Sequence, residues 1–271
     1  MVELPLVSII IPTYNSERTL SYTLDSIFAQ TYKNFEIIIV DKNSTDKTEF
    51  IAKSYNVKFF KMKARERSEQ INYGISVANG KYLYRIDSDF LLDQDLIEEA
   101  VKTSEIFDSD GIIIHNTSDP TISFWAKVRK FERDCYENDD LNVAVRFFQK
   151  RVLDKVKGFN EDLIACEDYD FHNRILSHNF SLYYIKSKEI HIGEPKTLRE
   201  IIIKHYYYWK SIKKFLKLHP QRGLKQLHPI RIVYIRHFDK FLLNPILLMG
   251  FMIYQFVRYG ASIIGYFSEE T

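Results

Sequence analysis

The stretch that decides the fold runs Leu6-Val7-Ser8-Ile9-Ile10-Ile11-Pro12-Thr13-Tyr14-Asn15. Its first six residues are mostly apolar and β-branched, which is typical of a buried strand. We expect Pro12 to end that strand, because proline has no amide hydrogen to donate to a neighbouring strand. A helical pattern follows from Ser16, and one of its faces is apolar: Leu20, Leu24, Ile27 and Phe28. Strand, polar loop and amphipathic helix together predict the first unit of an α/β fold.

The same alternation of strand and helix continues to about residue 90. Further strands are predicted at residues 35–40, 57–60 and 81–86. The helices between them are predicted to end near residue 54 and to span about residues 66–78. Apolar strands joined by helices are typical of parallel sheets, and four such units are too few for an eight-unit barrel. The predicted fold class is therefore α/β, with a Rossmann-like, open and mostly parallel sheet.

After residue 89 the pattern becomes irregular. Helices are predicted at residues 96–107, 124–136 and 167–177, and strands at 111–115, 143–148 and within 180–192. The charges of helix 124–136 are expected to face solvent, and strand 143–148 is expected to be antiparallel. We predict a mixed second half attached to a nucleotide-binding first half, together forming one domain over residues 1–195. Residues 196–271 are predicted to form a helical tail.

The composition is that of a globular protein, since 45% of the 271 residues are hydrophobic and 27% are charged. Two cysteines, Cys135 and Cys166, are too few for a disulfide framework and lack zinc-finger spacing, so we interpret Cys166 as a packing residue. The segment from Met1 to Ile11 lacks the basic region of a signal peptide, and we expect the body to stay in the cytosol.

Charge is distributed unevenly along the chain. Residues 1–195 contain 25 Lys and Arg against 32 Asp and Glu, whereas residues 196–240 contain 12 against 2. An acidic body with a basic, aromatic tail indicates that the partner of the tail is anionic. Because the body is acidic and no RNA-binding motif is present, nucleic acid is not the expected partner.

Polar residues follow three of the four predicted strands: Thr13-Tyr14-Asn15, Asp41-Lys42-Asn43-Ser44 and Asp87-Ser88-Asp89. The carboxyl ends of parallel strands meet at one edge of the sheet, where open α/β sheets bind ligands. Two carboxylates this close suit Mg²⁺ or Mn²⁺, although aspartate is also common at helix N-caps. No glycine-rich phosphate loop is present, which disfavours P-loop NTPases and NAD enzymes.

These motifs resemble glycosyltransferase family 2, of GT-A fold. The resemblance rests on four ordered stretches: Val7 to Asn15, Leu24 to Gln30, Val40 to Thr48 and Asp87 to Asp89. Two later stretches resemble the acceptor-side motif of the family: Gly158-Phe159-x-Glu161 and Glu167-Asp168-x-Asp170-Phe171. The resemblance covers about residues 5–195. It implies an inverting, hexosyltransferase-type enzyme that uses a UDP or GDP sugar and Mg²⁺ or Mn²⁺.

The resemblance also implies a role for each matching residue. The residues implied to bind the nucleotide sugar are Pro12, Thr13, Tyr14, Asp41, Arg67 and Asp87. The residues implied to hold the metal are Asp89, as the firmer ligand, with Asp87 and His191. Asp168 is the predicted general base and Glu167 the second choice, because an inverting transfer needs one carboxylate to take the acceptor proton. The alternatives are a surface ion pair for Arg67, a structural role for His191, and a helix-dipole role for Glu167 and Asp168.

Two residues depart from the family pattern. Lys42 stands where many relatives have a second acidic residue that often reads the base, so the identity of the nucleotide stays open. Arg85 stands where an apolar residue is usual, and we interpret it as the partner of a neighbouring carboxylate.

The tail combines cations with aromatic residues between Lys204 and Lys217. Four lysines are expected on one helical face: Lys210, Lys213, Lys214 and Lys217. Such a face suits an anionic bilayer surface, although a charge run is often only a solvated face. Phe241 to Val257 is 17 residues without charge, followed by Arg258, which favours an in-plane or shallowly inserted helix over a full span. A helix packed on the body or in a homodimer interface is the alternative.

The predicted function is transfer of a sugar to a lipid-linked or glycan acceptor at the cytoplasmic face of the membrane. A polyprenyl-phosphate sugar synthase and a catalytically silent nucleotide-sugar-binding scaffold are the alternatives. A nucleotidyltransferase is disfavoured, because the glycine-rich, basic loop it needs after the first strand is missing. The sugar, the acceptor, the linkage and the oligomeric state stay open.

Overall fold

The computed structural model describes residues 4–268. The interpretation of the N-terminus begins at Met1 and therefore lies partly outside the described residues. The strands are β1 (Val7–Thr13), β2 (Phe35–Asp41), β3 (Lys58–Lys61), β4 (Tyr82–Arg85), β5 (Phe90–Leu92), β6 (Gly111–Ser118), β7 (Val145–Gln149) and β8 (Leu182–His191). They form one sheet in the order β3-β2-β1-β4-β7-β6-β8-β5.

The helices of the body cover both faces of this sheet. They are α1 (Leu20–Phe28), α2 (Thr48–Lys53), α3 (Arg67–Ser76), α4 (Leu96–Phe107), α5 (Phe124–Asp134), α6 (Leu153–Val156) and α7 (Glu167–Ser177), with a 3₁₀ turn at Lys150–Val152. The tail contains α8 (Leu198–Trp209), α9 (Ile212–Leu218), α10 (Pro220–Leu227), α11 (Ile232–Arg236), α12 (Phe238–Leu243) and α13 (Pro245–Phe267). The predicted α/β class and helical tail are confirmed.

The first four strands are parallel, as predicted, and β1 lies between β2 and β4. The prediction that Pro12 ends β1 is wrong, because the strand continues through Thr13. Ile86 N donates to Ile10 O on the β4 side, and Lys42 N donates to Thr13 O on the β2 side. Alternate residues of a strand bond to opposite neighbours, so Pro12 faces the β4 side, beyond the point where β4 ends. Its missing amide hydrogen therefore costs no ladder bond.

The other half of the sheet is mixed. Strand β7 is antiparallel to both β4 and β6, while β8 is parallel to β6. The three-residue strand β5 pairs antiparallel with β8 and was not predicted, because three residues are too few to show a period. The carboxyl ends of β1, β2, β4, β6 and β8 consequently share one edge of the sheet.

Two hydrophobic cores lie on opposite faces of the sheet, as the period of two along a strand requires. Ile9 and Ile11 pack with α1 and α4, whereas Ile10 packs with α3 and α7. All three isoleucines are completely buried. Burial on both faces explains why the strands read as continuous apolar runs and not as alternating ones.

The tail folds back onto the body along α13, which packs against α8 and α5. Within the described chain, α13 is the one helix long and apolar enough to cross a membrane, and a third of its apolar window is buried. Its opposite face exposes apolar side chains: Ile246, Met249, Met252, Phe256, Ile263 and Phe267. The expected single helix from Lys204 to Lys217 is broken, because α8 ends at Trp209 and α9 begins at Ile212.

The expectation that the charges of α5 face solvent is wrong for Glu132, which is completely buried. Both terminal nitrogens of Arg258 lie 3.1 Å from Glu132 Oε1, and Arg129 also donates to this carboxylate. The hydroxyls of Tyr136 and Tyr234 donate to the same oxygen at 2.7 Å. Burial raises the pKa of Glu132, but the surrounding arginines hold it well below its usual range. This cluster fastens α13 to the body.

Replacing Glu132 by Gln is expected to destabilise the fold by about 3–5 kcal/mol, because it leaves two buried arginines without a counter-charge. The pKa of Glu132 is depressed in the folded state. Its contribution to the free energy of unfolding is therefore complete above about pH 4.3, the ordinary pKa of glutamate, and is lost as the pH falls through the folded-state pKa. Urea denaturation of the wild type and Glu132→Gln at pH 7 and pH 3.5 measures both free energies of unfolding. The difference between the two proteins should be smaller at pH 3.5 than at pH 7.

Glu98→Gln is the matched control, since Glu98 is partly exposed and its cation is the largely exposed Lys102 on the next turn of α4. It should leave the urea midpoint unchanged. Equal midpoints for Glu132→Gln and the wild type at pH 7 would contradict the importance assigned to the buried cluster.

Candidate active site

A cavity of about 500 Å³ opens at the carboxyl edge of the sheet. The loops after β1 and β4, the end of β8, the start of α7 and helix α8 of the tail all contribute to its wall. The predicted site residues that line it are Pro12, Tyr14, Arg67, Asp87, Asp89, Glu167, Asp168 and His191. The topology therefore brings together residues that are up to 179 positions apart in the chain.

Thr13 and Asp41, also predicted for the nucleotide site, do not line this cavity. The completely buried Asp41 carboxylate accepts hydrogen bonds from Thr13 Oγ1 at 3.0 Å and from the backbone nitrogen of Ser44 at 2.7 Å. Asn15 and Asn43 stand in the left-handed region, at φ 48° and 50°, in the loops that follow β1 and β2. These hydrogen bonds hold the loops after β1 and β2 together, so Asp41 stabilises residues beside the cavity without lining it.

Two carboxylates and three arginines form the centre of the wall. Arg67 Nη2 donates to Glu167 Oε1 at 2.5 Å and Arg67 Nη1 to Asp87 Oδ1 at 3.3 Å. Arg85 Nη2 lies 3.2 Å from both carboxylates, and Arg146 Nη2 lies 3.6 Å from Asp87 Oδ2. The interpretation of Arg85 as a carboxylate partner thus agrees with the structure. Arg67 pairs with the buried Glu167 and with Asp87, while 34% of its own side chain stays exposed.

Burial and the arginines act in opposite directions on the two carboxylates. Burial raises the pKa of Asp87, but Arg85, Arg67 and Arg146 together hold it below its usual range. For Glu167, burial outweighs the effect of Arg67 and Arg85, and the pKa is raised. Both arginines contact Glu167 through Oε1, whereas Glu167 Oε2 is buried without a hydrogen-bond partner among the described residues.

Asp168 is in a different position from its neighbour Glu167. It is half-buried and lines the cavity, and within the described chain its one hydrogen bond comes from the backbone nitrogen of Tyr169 at 2.8 Å. Its carboxylate can therefore accept a proton from a ligand. Cys166, which precedes the pair, has its pKa raised well above the usual range by burial, so it remains a thiol.

Asp89 and His191 have the chemistry of a divalent-cation site. His191 Nε2 lies 3.0 Å from Asp89 Oδ2, and Asp89 Oδ1 is buried without a hydrogen-bond partner among the described residues. Burial raises the pKa of Asp89, but His191 lowers it below its usual range. Carboxylate oxygen is the ligand type that suits Mg²⁺ and Mn²⁺. Burial lowers the pKa of His191, but Asp89 and Glu194 raise it above its usual value, so this imidazole would bind an ion only after losing its proton. These residues fit such an ion.

Over residues 4–268, no group of three or more His, Cys, Asp or Glu side chains is close enough to form a complete metal cage. Mg²⁺ does not require one, since it typically takes one or two carboxylates and fills its other positions with water and substrate phosphates.

Gly193 was missed by the sequence analysis. A Cβ atom at this position would lie 2.1 Å from Asp89 Oδ2, so only glycine leaves room for the carboxylate. The nearby His191 is a predicted metal ligand, but nothing in the sequence indicates the close approach of Gly193 to Asp89.

Lys204 and Tyr208 from α8 were also missed, and both line the cavity. The lysine nitrogen lies 5.8 Å from the centroid of the tyrosine ring. Burial lowers the pKa of Lys204, but nearby tyrosines, Glu194 and Asp89 raise it above its usual range, so the side chain carries a positive charge beside Asp89. The stretch from Lys204 to Lys217 is predicted from its sequence to lie at a bilayer surface. The spacing of four between Lys204 and Tyr208 nevertheless places both on one helical face.

Comparisons with known proteins agree with the motifs. The family model described as Glycosyl transferase family 2 matches residues 8–161, more than half of the chain. An uncharacterized glycosyltransferase of Rickettsia typhi is 40% identical over 113 residues, which are 41% of this chain and 36% of that protein. The chain thus spans about a third of the length of this relative.

A longer match is the dolichyl N-acetyl-α-D-glucosaminyl phosphate 3-β-D-2,3-diacetamido-2,3-dideoxy-β-D-glucuronosyltransferase of Methanococcus voltae. It is 25% identical over 284 residues, covering 93% of this chain and 84% of that protein.

Two solved structures are similar in fold. The mannosyltransferase PcManGT of Pyrobaculum calidifontis, in complex with GDP-Man and Mn²⁺, has a TM-score of 0.68 and 16% identity, over 99% of this chain and 89% of that one. Residues 1–349 of TarS from S. aureus, in complex with UDP-GlcNAc, have a TM-score of 0.57 and 19% identity, over 96% of this chain and 89% of that one. The motifs, the mixed sheet and the family match agree: the chain belongs to glycosyltransferase family 2 and has a GT-A-like fold.

Proposed function

We propose that the protein is an inverting, divalent-metal-dependent glycosyltransferase that moves a sugar from a nucleoside diphosphate to a lipid-linked or glycan acceptor at a membrane surface. One observation carries the proposal. A single cavity is lined by a carboxylate–imidazole pair suited to a divalent cation, Asp89 and His191, and by Asp168, which can accept a proton.

The donor occupies the half of the cavity that holds the Asp-x-Asp motif. Asp89, Asp87 and His191 would hold Mg²⁺ or Mn²⁺, and the bound ion would supply positive charge to the departing diphosphate. Lys204 adds a cation on the same side. The predicted pocket for the base and ribose, with Pro12, Thr13, Tyr14 and Asp41, lies at the ends of β1 and β2. Similar proteins bind GDP-Man with Mn²⁺ and UDP-GlcNAc, which supports a UDP or GDP sugar.

Asp168 acts as the general base. It takes the proton from the acceptor hydroxyl while the hydroxyl oxygen forms a bond to the anomeric carbon. The bond from that carbon to the diphosphate oxygen breaks, and the diphosphate leaves with the electron pair. Attack from the face opposite the leaving group inverts the anomeric configuration. Glu167 positions Arg67 and Arg85 and keeps their charges beside the nucleotide site.

The acceptor and the location of the enzyme are inferred from the tail. The exposed apolar face of α13 suits the interfacial region of a bilayer, and the basic residues 196–240 suit anionic headgroups. The name of the Methanococcus voltae relative describes a dolichyl-phosphate-linked acceptor. We infer a peripheral or shallowly inserted enzyme on the cytoplasmic face, with residues 1–195 as the catalytic domain and residues 196–271 as the membrane-associating tail.

Calorimetric titration of the detergent-solubilised full chain with UDP, GDP and dTDP, each with and without Mn²⁺, should identify one nucleotide that binds tightly only with the ion. Asp89→Ala should weaken this binding by at least about tenfold, because it removes the carboxylate that holds the metal. Asp162→Ala, a change to an exposed aspartate, is the control and should bind as the wild type does. The proposal fails if a folded sample binds none of the three nucleotides.

Asp168→Asn should lower kcat by about 10²–10⁴-fold while the affinity for the donor stays the same, because the amide keeps the shape but cannot take a proton. Release of nucleoside diphosphate in the presence of membrane lipids measures turnover. Glu167→Gln is the comparison at the neighbouring position. It should weaken donor binding, because it removes the negative charge that pairs with Arg67 and Arg85. Unchanged turnover in Asp168→Asn would assign the base elsewhere.

Gly193→Ala should reduce Mn²⁺-dependent nucleotide binding on the order of tenfold, because the added methyl group displaces the Asp89 carboxylate. Gly260→Ala is the matched control, since a Cβ at Gly260 meets nothing within 4 Å. That change should leave binding intact and should not lower the melting temperature, because alanine favours helix over glycine by about 1 kcal/mol. Equal affinities in the two variants would show that Gly193 does not position Asp89.

A further inference from the structure

A second concave surface lies in the tail, between α11, α12 and α13. This apolar groove has a volume of about 610 Å³. Its wall is formed by Pro229, Ile230, Ile235, Phe238, Met252 and other apolar side chains, and the polar groups on it belong to Tyr234 and Gln255. Ile235, Phe238 and Met252 are exposed at 55–66%. The groove is therefore open and offers almost no hydrogen-bonding partners to an occupant.

The apolar groove and the active-site cavity share a wall. Tyr234 lines the groove, Tyr136 lines the cavity, and their hydroxyl oxygens lie next to each other, since both donate to Glu132 Oε1. Arg231 Nη1 donates to the Tyr136 hydroxyl at 2.7 Å, and its guanidinium lies 5.1 Å from the centroid of that ring. Arg231 itself lines neither of them, but the preceding Ile230 lines the groove and Tyr136, which Arg231 contacts, lines the cavity. Its guanidinium therefore lies between the groove and the active site.

Positive charge is in excess at this shared wall. Arg129 and Arg258 both pair with Glu132, so a single carboxylate serves two guanidinium groups. Arg231, the third guanidinium, has no carboxylate partner among the described residues, and its Nε is buried without a hydrogen-bond partner. Buried cations require a counter-charge, and guanidinium groups suit phosphate oxygens. The charge balance at the inner end of the groove therefore calls for an anion.

We propose that the apolar groove holds the hydrocarbon chain of a single phosphate-bearing lipid, with its phosphate at Arg231 and the group that it carries extending past Tyr136 into the active-site cavity. This inference rests on the proposed function, because it assigns the lipid-linked acceptor a place. A peptide fits the groove less well, since its backbone amides would be left without partners. The exposed apolar face of α13 continues from the groove, so the lipid could enter from a bilayer.

The experiment titrates the detergent-solubilised full chain by calorimetry with farnesyl phosphate, farnesol and inorganic phosphate, each corrected by the same titration into detergent alone. Farnesyl phosphate should bind at least about tenfold more tightly than either part alone, because the chain and the charge are held at adjoining places. Met252→Glu, inside the groove, should weaken this binding by at least about tenfold. Phe256→Glu is the matched control on the same helix, since Phe256 is 82% exposed and lies outside the groove.

Arg231→Met should remove the preference for farnesyl phosphate over farnesol, and Arg231→Lys should restore part of it. Because Arg231 also packs on Tyr136, a folding defect in Arg231→Met is detected by thermal melting, and Met252→Glu then carries the test. The proposal is overturned by equal binding of farnesol and farnesyl phosphate, by equal losses in Met252→Glu and Phe256→Glu, or by binding to anionic vesicles alone. It is also overturned if Met252→Glu converts a dimer to a monomer in sedimentation.

Nucleotide binding with Mn²⁺, measured on the same samples, separates the two proposals. If the nucleotide binds and farnesyl phosphate does not, the groove assignment fails and the proposed function stands. If farnesyl phosphate binds and no nucleotide does, the proposed function fails and the groove remains a lipid site.

Discussion

The active site depends on placing Asp87 and Glu167 around the same two arginines, Arg67 and Arg85. Two buried carboxylates at this separation would repel each other and take up a proton unless cations stood between them. Arg85 comes from β4, Arg67 from the start of α3 and Arg146 from β7. The three arginines therefore come from two different strands and from one helix that packs on the sheet. The ion pairs fix the wall of the cavity only when all three elements are in place.

The same arginines determine which carboxylates are available for chemistry. Glu167 is 1% exposed and bound by two guanidinium groups, whereas its neighbour Asp168 keeps a carboxylate that faces the cavity. Adjacent residues at a helix start point in different directions, about 100° apart around the axis. The sequence pair Glu-Asp thus divides into one residue that holds two arginines and one whose carboxylate accepts only a backbone hydrogen bond among the described residues, and this division depends on helix geometry.

Periodicity predicted most of the fold. The bounds of α4 and α7 agree with the prediction to the residue, because each has an apolar face of helical period and a polar residue at its start. Motifs at strand ends predicted most of the cavity wall, because parallel strands present their carboxyl ends together. What could not be predicted are contacts between distant residues: Glu132 buried under Arg258, the space at Gly193, and Lys204 in the cavity. Each depends on three-dimensional packing that leaves no periodic signal in the chain.

The tail connects these unpredicted contacts. A Cβ at Gly265 of α13 would lie 2.3 Å from the backbone oxygen of Tyr206, so α13 approaches the main chain of α8 as closely as glycine permits. Tyr206 stands two residues from both Lys204 and Tyr208, which line the cavity. Seven residues before Gly265, Arg258 binds Glu132 of the body. The helix with the exposed apolar face is therefore fastened at two points, one to the body and one to the helix that carries Lys204. A force on α13 from a bilayer would act on the cavity through rigid contacts, and the position of Lys204 depends on how α13 is seated.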